Sequence, residues 1–317
     1  MPAFFTHNTF VQQNCNPKDK FAHIRALGGQ GTDVFFFYGY SLAKREKKSQ
    51  KRYFGTLIHH IDIADAYSFL LEYASKQEDS DMLYDYLKGL FMHYVMDRNC
   101  HPYIFYRTGF VTTPDSTKQE KDKYMGYHVT FESILDTVYS KKYKTFKCHK
   151  KYVKCPNEQV KSVSKMFYEL AKYLNYDDID ELTYYNAYKD LMFAESILYS
   201  PLGIKKFFIH LFAKNKTIDN MMSPSRIKPY AKYDVLNLAK EEWKNCVTGE
   251  VHNESFLELV ENAKNELKQV DFIINKSKNN NVRDDMKIFI SNIDHDGFIV
   301  NSEKKYYKVY SKVEDYK

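Results

Sequence analysis

Two short sequences place a histidine four residues before a carboxylate. HYVMD contains His93 and Asp97, and HVTFE contains His128 and Glu132. Side chains four residues apart lie one above the other on a helix, so each pair can hold one cation between an imidazole nitrogen and a carboxylate oxygen. A single pair of this kind is more often an internal hydrogen bond or a surface contact. Two such pairs with His101 between them predict a metal site.

Further candidate ligands precede these pairs. Asp33 lies between the glycine-containing LGGQGT and the apolar VFFFY, where a carboxylate is either a helix cap or a ligand. His59 and His60 are adjacent, and neighbours on a helix point about 100° apart, so we expect only one of them to face the same interior as His93. His7 lies among aromatic residues in FFTH. Taken singly, each of these side chains is more often an ordinary core or surface residue.

Pairs at this spacing work only on continuous helices, and the composition favours such helices. Among 317 residues there are 11 Gly and 8 Pro, a low share of turn-forming residues that predicts an all-α, multi-helix globular fold. Apolar residues at helical spacing predict two helices that carry the pairs, at Leu83–Asp97 and Tyr127–Tyr139. Further helices are predicted at 158–175, 181–198, 202–213, 232–246 and 254–275, the last with Asn253 as its N-cap.

The remaining segments read as loops and a tail. Thr112–Lys123 is polar and lacks periodicity, which predicts an exposed loop. We interpret residues 1–275 as one helical domain with a metal cluster between its helices, its ligands falling within 7–132. Residues 276–317 are interpreted as a linker, Lys276–Asn281, and a tail that is irregular or forms short strands at Ile288–Ile290 and Phe298–Val300.

Charge, hydropathy and cysteine content disfavour several classes of protein. The formal net charge is +6 and the pI is near 8.7, which disfavours a dedicated nucleic-acid binder. No apolar run approaches the roughly 18 residues of a transmembrane helix. The first residues lack the pattern of a secretory signal, so we expect a cytoplasmic protein. The 5 Cys are odd in number and favour reduced thiols over a disulfide framework.

A basic run covers Lys141–Lys154, where seven lysines alternate with Tyr, Phe and His. One interpretation is a solvated loop or helix end. The other is a peripheral contact with an anionic membrane, in which lysines meet phosphate headgroups and aromatic rings lie at the interface. The spacing of Cys148, His149 and Cys155 is not one that zinc sites use.

The order of the candidate ligands resembles that of the bacterial zinc-dependent phospholipase C family, with the zinc-dependent nucleases as more distant kin. HYVMD, a following His101 and then HVTFE carry the resemblance, preceded by His7, Asp33 and His59 with Asp62 three residues on. MPAFFTH and LGGQGTDVFFFY look like intracellular Firmicutes members of the family. Trp243–Ala263 resembles their C-terminal signature.

The resemblance implies an all-helical fold with two or three zinc ions. One ion would be held by His101, His128 and Glu132, and another by Asp33, His59, His93 and Asp97. Asp97 would bridge to a third ion that His7 also binds. In the secreted enzymes an N-terminal Trp completes the third site, and no Trp lies near the start of this chain. The third site is therefore differently completed, weak or empty.

The chemistry expected from such a cluster is phosphodiester hydrolysis. Clustered divalent ions clamp a phosphate oxygen and lower the pKa of bound water to about 7, so that hydroxide attacks phosphorus. Asp33 is the candidate catalytic residue, as acceptor of the water's proton. The expected substrate is a phospholipid, cleaved to diacylglycerol and a phosphorylated headgroup.

Two alternatives remain open at this stage. The same site would serve a metal-dependent nuclease or a hydrolase of small phosphoesters. A non-catalytic helical protein stabilised by zinc is the other class. Structural zinc sites are usually rich in Cys, whereas this set is His and carboxylate, which favours sites that keep a water position.

Overall fold

A computed structural model describes residues 4–109, 117–145, 150–200, 202, 204–212, 222 and 232–300. This part of the chain is mostly helical, which confirms the predicted all-α class. Its elements are, in order, α1 (Phe4–Asn14), α2 (Ala22–Gly28), a 3-10 helix (Gly31–Phe37), α3 (Lys48–His60), α4 (Ile63–Ser75), α5 (Ser80–Thr108), α6 (Lys118–Lys142), α7 (Lys150–Val153), α8 (Asn157–Tyr173), α9 (Thr183–Leu198), α10 (Ile204–Phe212), β1 (Trp243–Lys244), β2 (Val251–His252), α11 (Phe256–Asn265), α12 (Leu267–Ser277) and α13 (Arg283–Ile290).

The long helix α5 lies at the centre of the fold. It is buried along most of its length, because apolar residues such as Leu87, Leu90 and Phe91 cover more than one of its faces. α1, α2, α4, α6, α11 and α12 all pack against it. α2 crosses it closely, since a Cβ on Gly28 would lie 2.0 Å from the Tyr86 carbonyl oxygen. The histidines and carboxylate of α5 therefore lie in the core of the protein.

α5 and α6 both extend beyond their predicted limits. α6 begins after Thr117, whose side chain accepts a hydrogen bond from the backbone N–H of Glu120, while the Glu120 side chain accepts one from the Thr117 backbone. This capping box starts the helix at Lys118. The prediction of a loop over Thr112–Lys123 is therefore wrong for residues 118–123, and its residues 112–116 lie outside the described chain.

The predicted helix at 232–246 is also wrong. Asp234 and Asn237 have positive φ values of 39° and 50°, and the Asp234 carboxylate accepts hydrogen bonds from the backbone of the following turn. Such local side-chain bonds compete with helix formation. The segment ends in β1, which pairs antiparallel with β2, and Gly249 with φ of 75° lies in the connection.

The C-terminal helices differ from prediction in their boundaries. The single helix predicted at 254–275 is two helices, α11 and α12, and Ser255 rather than Asn253 is the cap, with Glu258 completing a capping box. α12 runs to Ser277, into the predicted linker. Ile288–Ile290 form the last turn of α13 and not a strand.

α13 packs against α4, and an isolated bridge joins Ile293 to Ile299 just beyond it. The tail beyond residue 300 lies outside the described residues. Among the described helices, none combines the length and apolar character that a membrane span requires.

Candidate metal centre

Asp97 is the centre of a buried cluster of imidazoles. His93, Asp97 and His101 occupy one face of α5, since they are four residues apart. Asp97 Oδ2 lies 3.0 Å from His93 Nε2, and Asp97 Oδ1 lies 3.2 Å from His7 Nε2 and 3.9 Å from His101 Nε2. Asp97 is 5% exposed and His93 is 0% exposed, so these contacts are shielded from solvent.

The first group of potential ligands surrounds the Asp97 carboxylate. One donor atom from each member lies within 4.8 Å of all the others; the members are His59, His93, Asp97 and His295. His59 comes from the last turn of α3 and is buried, whereas the side chain of His60 is 31% exposed. The expectation that only one of these two adjacent histidines faces His93 is therefore confirmed. The group can hold a metal ion.

The second group lies one turn further along α5 and includes α6. Its members are His101, His128 and Glu132, again with donor atoms within 4.8 Å. Glu132 Oε1 lies 3.1 Å from His128 Nε2 and 3.7 Å from His101 Nε2. These are the three residues that the family resemblance assigns to one ion, and the structure brings them together. Since His101 also approaches Asp97, the two groups adjoin.

A third group lies nearer the surface. His60 Nδ1 is 3.2 Å from Asp294 Oδ2 and 3.8 Å from Asp296 Oδ2, and these three residues also satisfy the distance condition. Asp294 has less capacity for an ion, because its Oδ1 accepts hydrogen bonds from the backbone N–H of Asp296 and of Phe298.

Asp33, the predicted catalytic residue and ligand, lies beside the first group. Its Oδ1 is 3.1 Å from His59 Nε2, and it is 4% exposed. The 3-10 helix presents it after Gly31, which has φ of 58°. A Cβ on Gly31 would lie 2.4 Å from His93 Nε2, so glycine is required for the chain to pass this close to the ring.

His7, the other predicted ligand outside the groups, is positioned by α6. The Asp136 carboxylate accepts hydrogen bonds from the backbone N–H of Phe5, at 3.2 Å, and of Thr6, at 2.9 Å, and a further one from the Thr6 hydroxyl. Asp136 thus caps the first turn of α1 from a neighbouring helix. This contact holds His7 against Asp97.

Hydrogen bonds outside the cluster fix the direction of two ligand rings. His59 Nδ1 lies 2.7 Å from the Gly55 carbonyl oxygen, and His101 Nδ1 lies 2.7 Å from the His295 carbonyl oxygen. A carbonyl only accepts, so Nδ1 carries the proton in both rings. The Nε2 atoms then face carboxylates, Asp33 in the case of His59 and Glu132 in the case of His101. Metal-binding histidines are oriented in this way.

The carboxylates are held in their ionised form. Burial raises the pKa of Asp97, but His93 and His101 outweigh it and hold that pKa well below its ordinary value. In the same way, His128 and His101 lower the pKa of Glu132 to about 2 against the effect of burial. Both carboxylates are therefore charged at neutral pH, the form in which they bind cations.

The surroundings of the histidines shift their pKa values in different directions. Burial and the neighbouring His93 lower the pKa of His7, and burial together with His59 lowers that of His295 well below its ordinary value. Both are neutral at pH 7, as a metal ligand must be. Asp97 and nearby acidic groups raise the pKa of His101 to about 10 against burial, so an ion bound at this ring has to displace a proton, and metal binding there releases one.

Several buried polar atoms of the cluster have no hydrogen-bond partner among the residues that the structure describes. They include both ring nitrogens of His93, Nδ1 of His128 and Oε2 of Glu132. Leaving such atoms unsatisfied costs about 1–3 kcal/mol each. The 3.0 Å contact from His93 to Asp97 lacks hydrogen-bond alignment, as expected where both atoms point at a common third atom. The residues therefore fit a metal ion.

Sequence reasoning missed His295, Asp294 and Asp296. They lie in the segment interpreted as a tail, 198 residues from Asp97, where no helical spacing connects them to the ligand pairs. The signal was local: in IDHDGF a histidine lies between two carboxylates and is bounded by apolar residues.

In comparisons with family models, with curated proteins and with solved structures, this chain has no significant match.

Proposed function

We propose that this protein is a metal-dependent phosphodiester hydrolase of the zinc-dependent phospholipase C type. The observation that carries the proposal is the adjoining pair of buried His and carboxylate groups, which Asp97 and His101 connect. Phosphodiester hydrolysis uses two or more neighbouring cations to clamp the attacking and the leaving oxygen. Zinc is the cation proposed, because the donors are imidazole and carboxylate.

The donor set supports a catalytic role for at least one ion. Structural zinc sites are closed by four ligands and rich in Cys, whereas catalytic sites have three protein ligands and one open position. The second group has three donors, His101, His128 and Glu132, and none is Cys. Cys100, which precedes His101 in the sequence, is buried, and burial raises its pKa well above the ordinary value. It is therefore protonated at neutral pH.

A divalent ion in these groups would supply a Lewis acid that polarises the phosphodiester and acidifies a bound water. Asp33 would take up the proton that this water loses. Burial by itself raises the pKa of Asp33, but positive groups around it, among them His59 and His93, lower it, so its carboxylate is ionised at neutral pH. The low exposure of Glu132 and His93 keeps competing water out and strengthens each charge interaction.

An exposed apolar helix supports a lipid as the substrate class. Ile204, Phe207 and Leu211 share one face of α10 and are 59%, 61% and 57% exposed. Lys205 on the same helix is also exposed, and apolar side chains next to a lysine are typical of helices that lie in a membrane interface.

α10 follows the end of α9, which contacts the helix carrying His7. Tyr199 there lies 6.1 Å from the ring of Phe5, between ring centroids. Of the predicted basic patch Lys141–Lys154, the described Lys142, Lys144 and Lys154 are exposed, and residues 146–149 lie outside the described chain. Contact of this patch with anionic lipid stays part of the proposal.

The test combines metal content with three substrates. Protein loaded with Zn2+ and dialysed is analysed for zinc per chain, then assayed on phosphatidylcholine vesicles, on single-stranded DNA and on bis(p-nitrophenyl) phosphate. His93→Ala and His128→Ala remove one ligand from each group. His252→Ala is the matched control, because this ring stacks on Trp243 outside both groups.

We expect at least two zinc ions per chain and release of diacylglycerol, with activity lost by about 100-fold or more in both ligand variants and retained in the control. One zinc or fewer, with all three variants equal to wild type, would contradict the proposal. Hydrolysis of DNA alone would support the nuclease alternative. Zinc bound without hydrolysis of any substrate would favour a zinc-stabilised binding protein.

A further inference from the structure

The loop after α13 enters the first group of ligands from the C-terminal part of the chain. This segment, Ile293–Phe298, is called the C-terminal loop below. Its His295 is 0% exposed, and His295 Nδ1 lies 3.3 Å from Asp97 Oδ2. The His295 ring centroid is 4.4 Å from that of His59 and 5.5 Å from that of His93. The loop thus inserts an imidazole among three other potential ligands.

The other ring nitrogen of His295 has its own partner. The Tyr67 hydroxyl lies 3.2 Å from His295 Nε2, and Tyr67 is itself buried. When Nε2 carries the proton and donates to the Tyr67 oxygen, the Nδ1 lone pair faces Asp97. This is the arrangement of a histidine ligand whose second nitrogen is held by an outer partner.

The backbone of His295 connects both groups. Its N–H donates to the His59 carbonyl oxygen at 3.2 Å. Its carbonyl oxygen accepts from His101 Nδ1 at 2.7 Å, which turns His101 Nε2 towards Glu132, 3.7 Å away. One residue therefore places its side chain in the first group and orients a member of the second.

The C-terminal loop is seated tightly against α5. Gly297 has φ of 77°, and a Cβ there would lie 2.5 Å from the Arg98 carbonyl oxygen and 2.7 Å from Pro102 Cγ. Only glycine allows this approach. Asp294 Oδ1 accepts hydrogen bonds from within the loop, at 3.0 Å from Asp296 N. The position of His295 is therefore fixed by its surroundings.

We propose that His295 is the fourth protein ligand of an ion in the first group, and that this ion fastens the C-terminal loop to α5. Four protein ligands make a closed site, whereas three leave a position for water or substrate. The first ion then has no position for water and would add positive charge beside the second group, to which the open position for water belongs. The inference rests on the metal binding of the proposed function and assigns different roles to its two ions.

The test uses a pair of substitutions that differ in one atom. His295→Cys retains a zinc-binding side chain and His295→Ser does not, although the two residues have similar volume. Both keep the backbone carbonyl that orients His101. His252→Ala controls for the removal of a histidine elsewhere. Zinc per chain and zinc affinity are measured with Zn2+ alone, and hydrogen exchange of the peptide covering 291–300 is followed with and without chelator.

We expect chelation to speed exchange of this peptide about 10-fold or more in the wild type and in His295→Cys. His295→Ser should hold one zinc ion fewer, with its loop exchanging fast in either condition. Far-UV circular dichroism of the chelated variants tests whether both fold. If His295→Ser is unfolded while His295→Cys folds only with zinc, that result also supports the assignment.

Three outcomes would overturn the inference. If His295→Ser keeps the wild-type zinc number and affinity within about 2-fold, His295 is not a ligand, while the proposed function stands. If chelation leaves loop exchange unchanged in the wild type, the ion does not fasten the loop. If the wild type binds no zinc, the inference and the proposed function fail together.

Discussion

A methyl group at Gly31 tests whether the position of the His93 ring sets metal affinity. Gly31 has φ of 58°, in the left-handed region that costs other residues about 1 kcal/mol. A Cβ would lie 2.1 Å from His93 Cδ2, so the ring has to move, and overpacking of this kind costs about 1–3 kcal/mol. Gly31→Ala should therefore lower the free energy of unfolding by about 2–4 kcal/mol.

Gly39→Ala is the matched control for this substitution. Gly39 has φ of 84°, and its Cβ would lie 2.7 Å from Cδ of Lys48. Lys48 is exposed, so its side chain can swing into solvent. The control therefore carries the backbone strain, about 1 kcal/mol, without moving a ligand.

The two variants are compared by urea unfolding in chelator and by competitive zinc titration of the metal-free proteins. Gly31→Ala should weaken zinc binding by about 10-fold or more, as displacement of a supporting contact does, and Gly39→Ala should stay within about 2-fold of the wild type. Equal unfolding free energies and equal zinc affinities for the two variants would refute the reasoning from the His93 ring.

Three further substitutions probe separate contacts. Glu132→Gln should lower the zinc content by one ion, because Glu132 belongs only to the second group; an unchanged zinc number in elemental analysis would contradict this. Asp136→Asn should lower the free energy of unfolding by about 1–3 kcal/mol, since the two capped N–H groups bond to different oxygens of Asp136 and an amide has only one. Exposed Asp122→Asn on the same helix should change it little in the same urea experiment. Phe207→Ser should lower the fraction of protein that sediments with anionic vesicles several-fold. Phe272→Ser should leave this fraction unchanged, although Phe272 on α12 is also exposed, at 51%. Equal losses in the two variants would show that α10 is not a lipid contact.

The second group of ligands was predictable because its information is local. Helical periodicity predicts α5 and α6 from apolar residues a few positions apart, and the same spacing places His128 above Glu132. His101 follows on the same helix as His93. These relations depend only on helix geometry, which the sequence pattern specifies directly.

The parts that were wrong or missed depend on contacts between distant segments or on competing local bonds. His295 reaches Asp97 across 198 residues, and no spacing rule connects them. The helix predicted at 232–246 had suitable apolar residues, but the Asp234 carboxylate accepts hydrogen bonds from the following backbone N–H groups, which form a turn instead. The early start of α6 depends on the Thr117 capping box, which was missed because the polar composition of this segment was interpreted as that of a loop.

The most direct test of the metal centre is anomalous X-ray diffraction at the zinc edge from crystals of zinc-loaded protein. We predict one anomalous peak among His59, His93, Asp97 and His295 and another among His101, His128 and Glu132, with ligand distances of about 2.0–2.2 Å. Crystals grown with zinc that give no peak within either group would contradict the account.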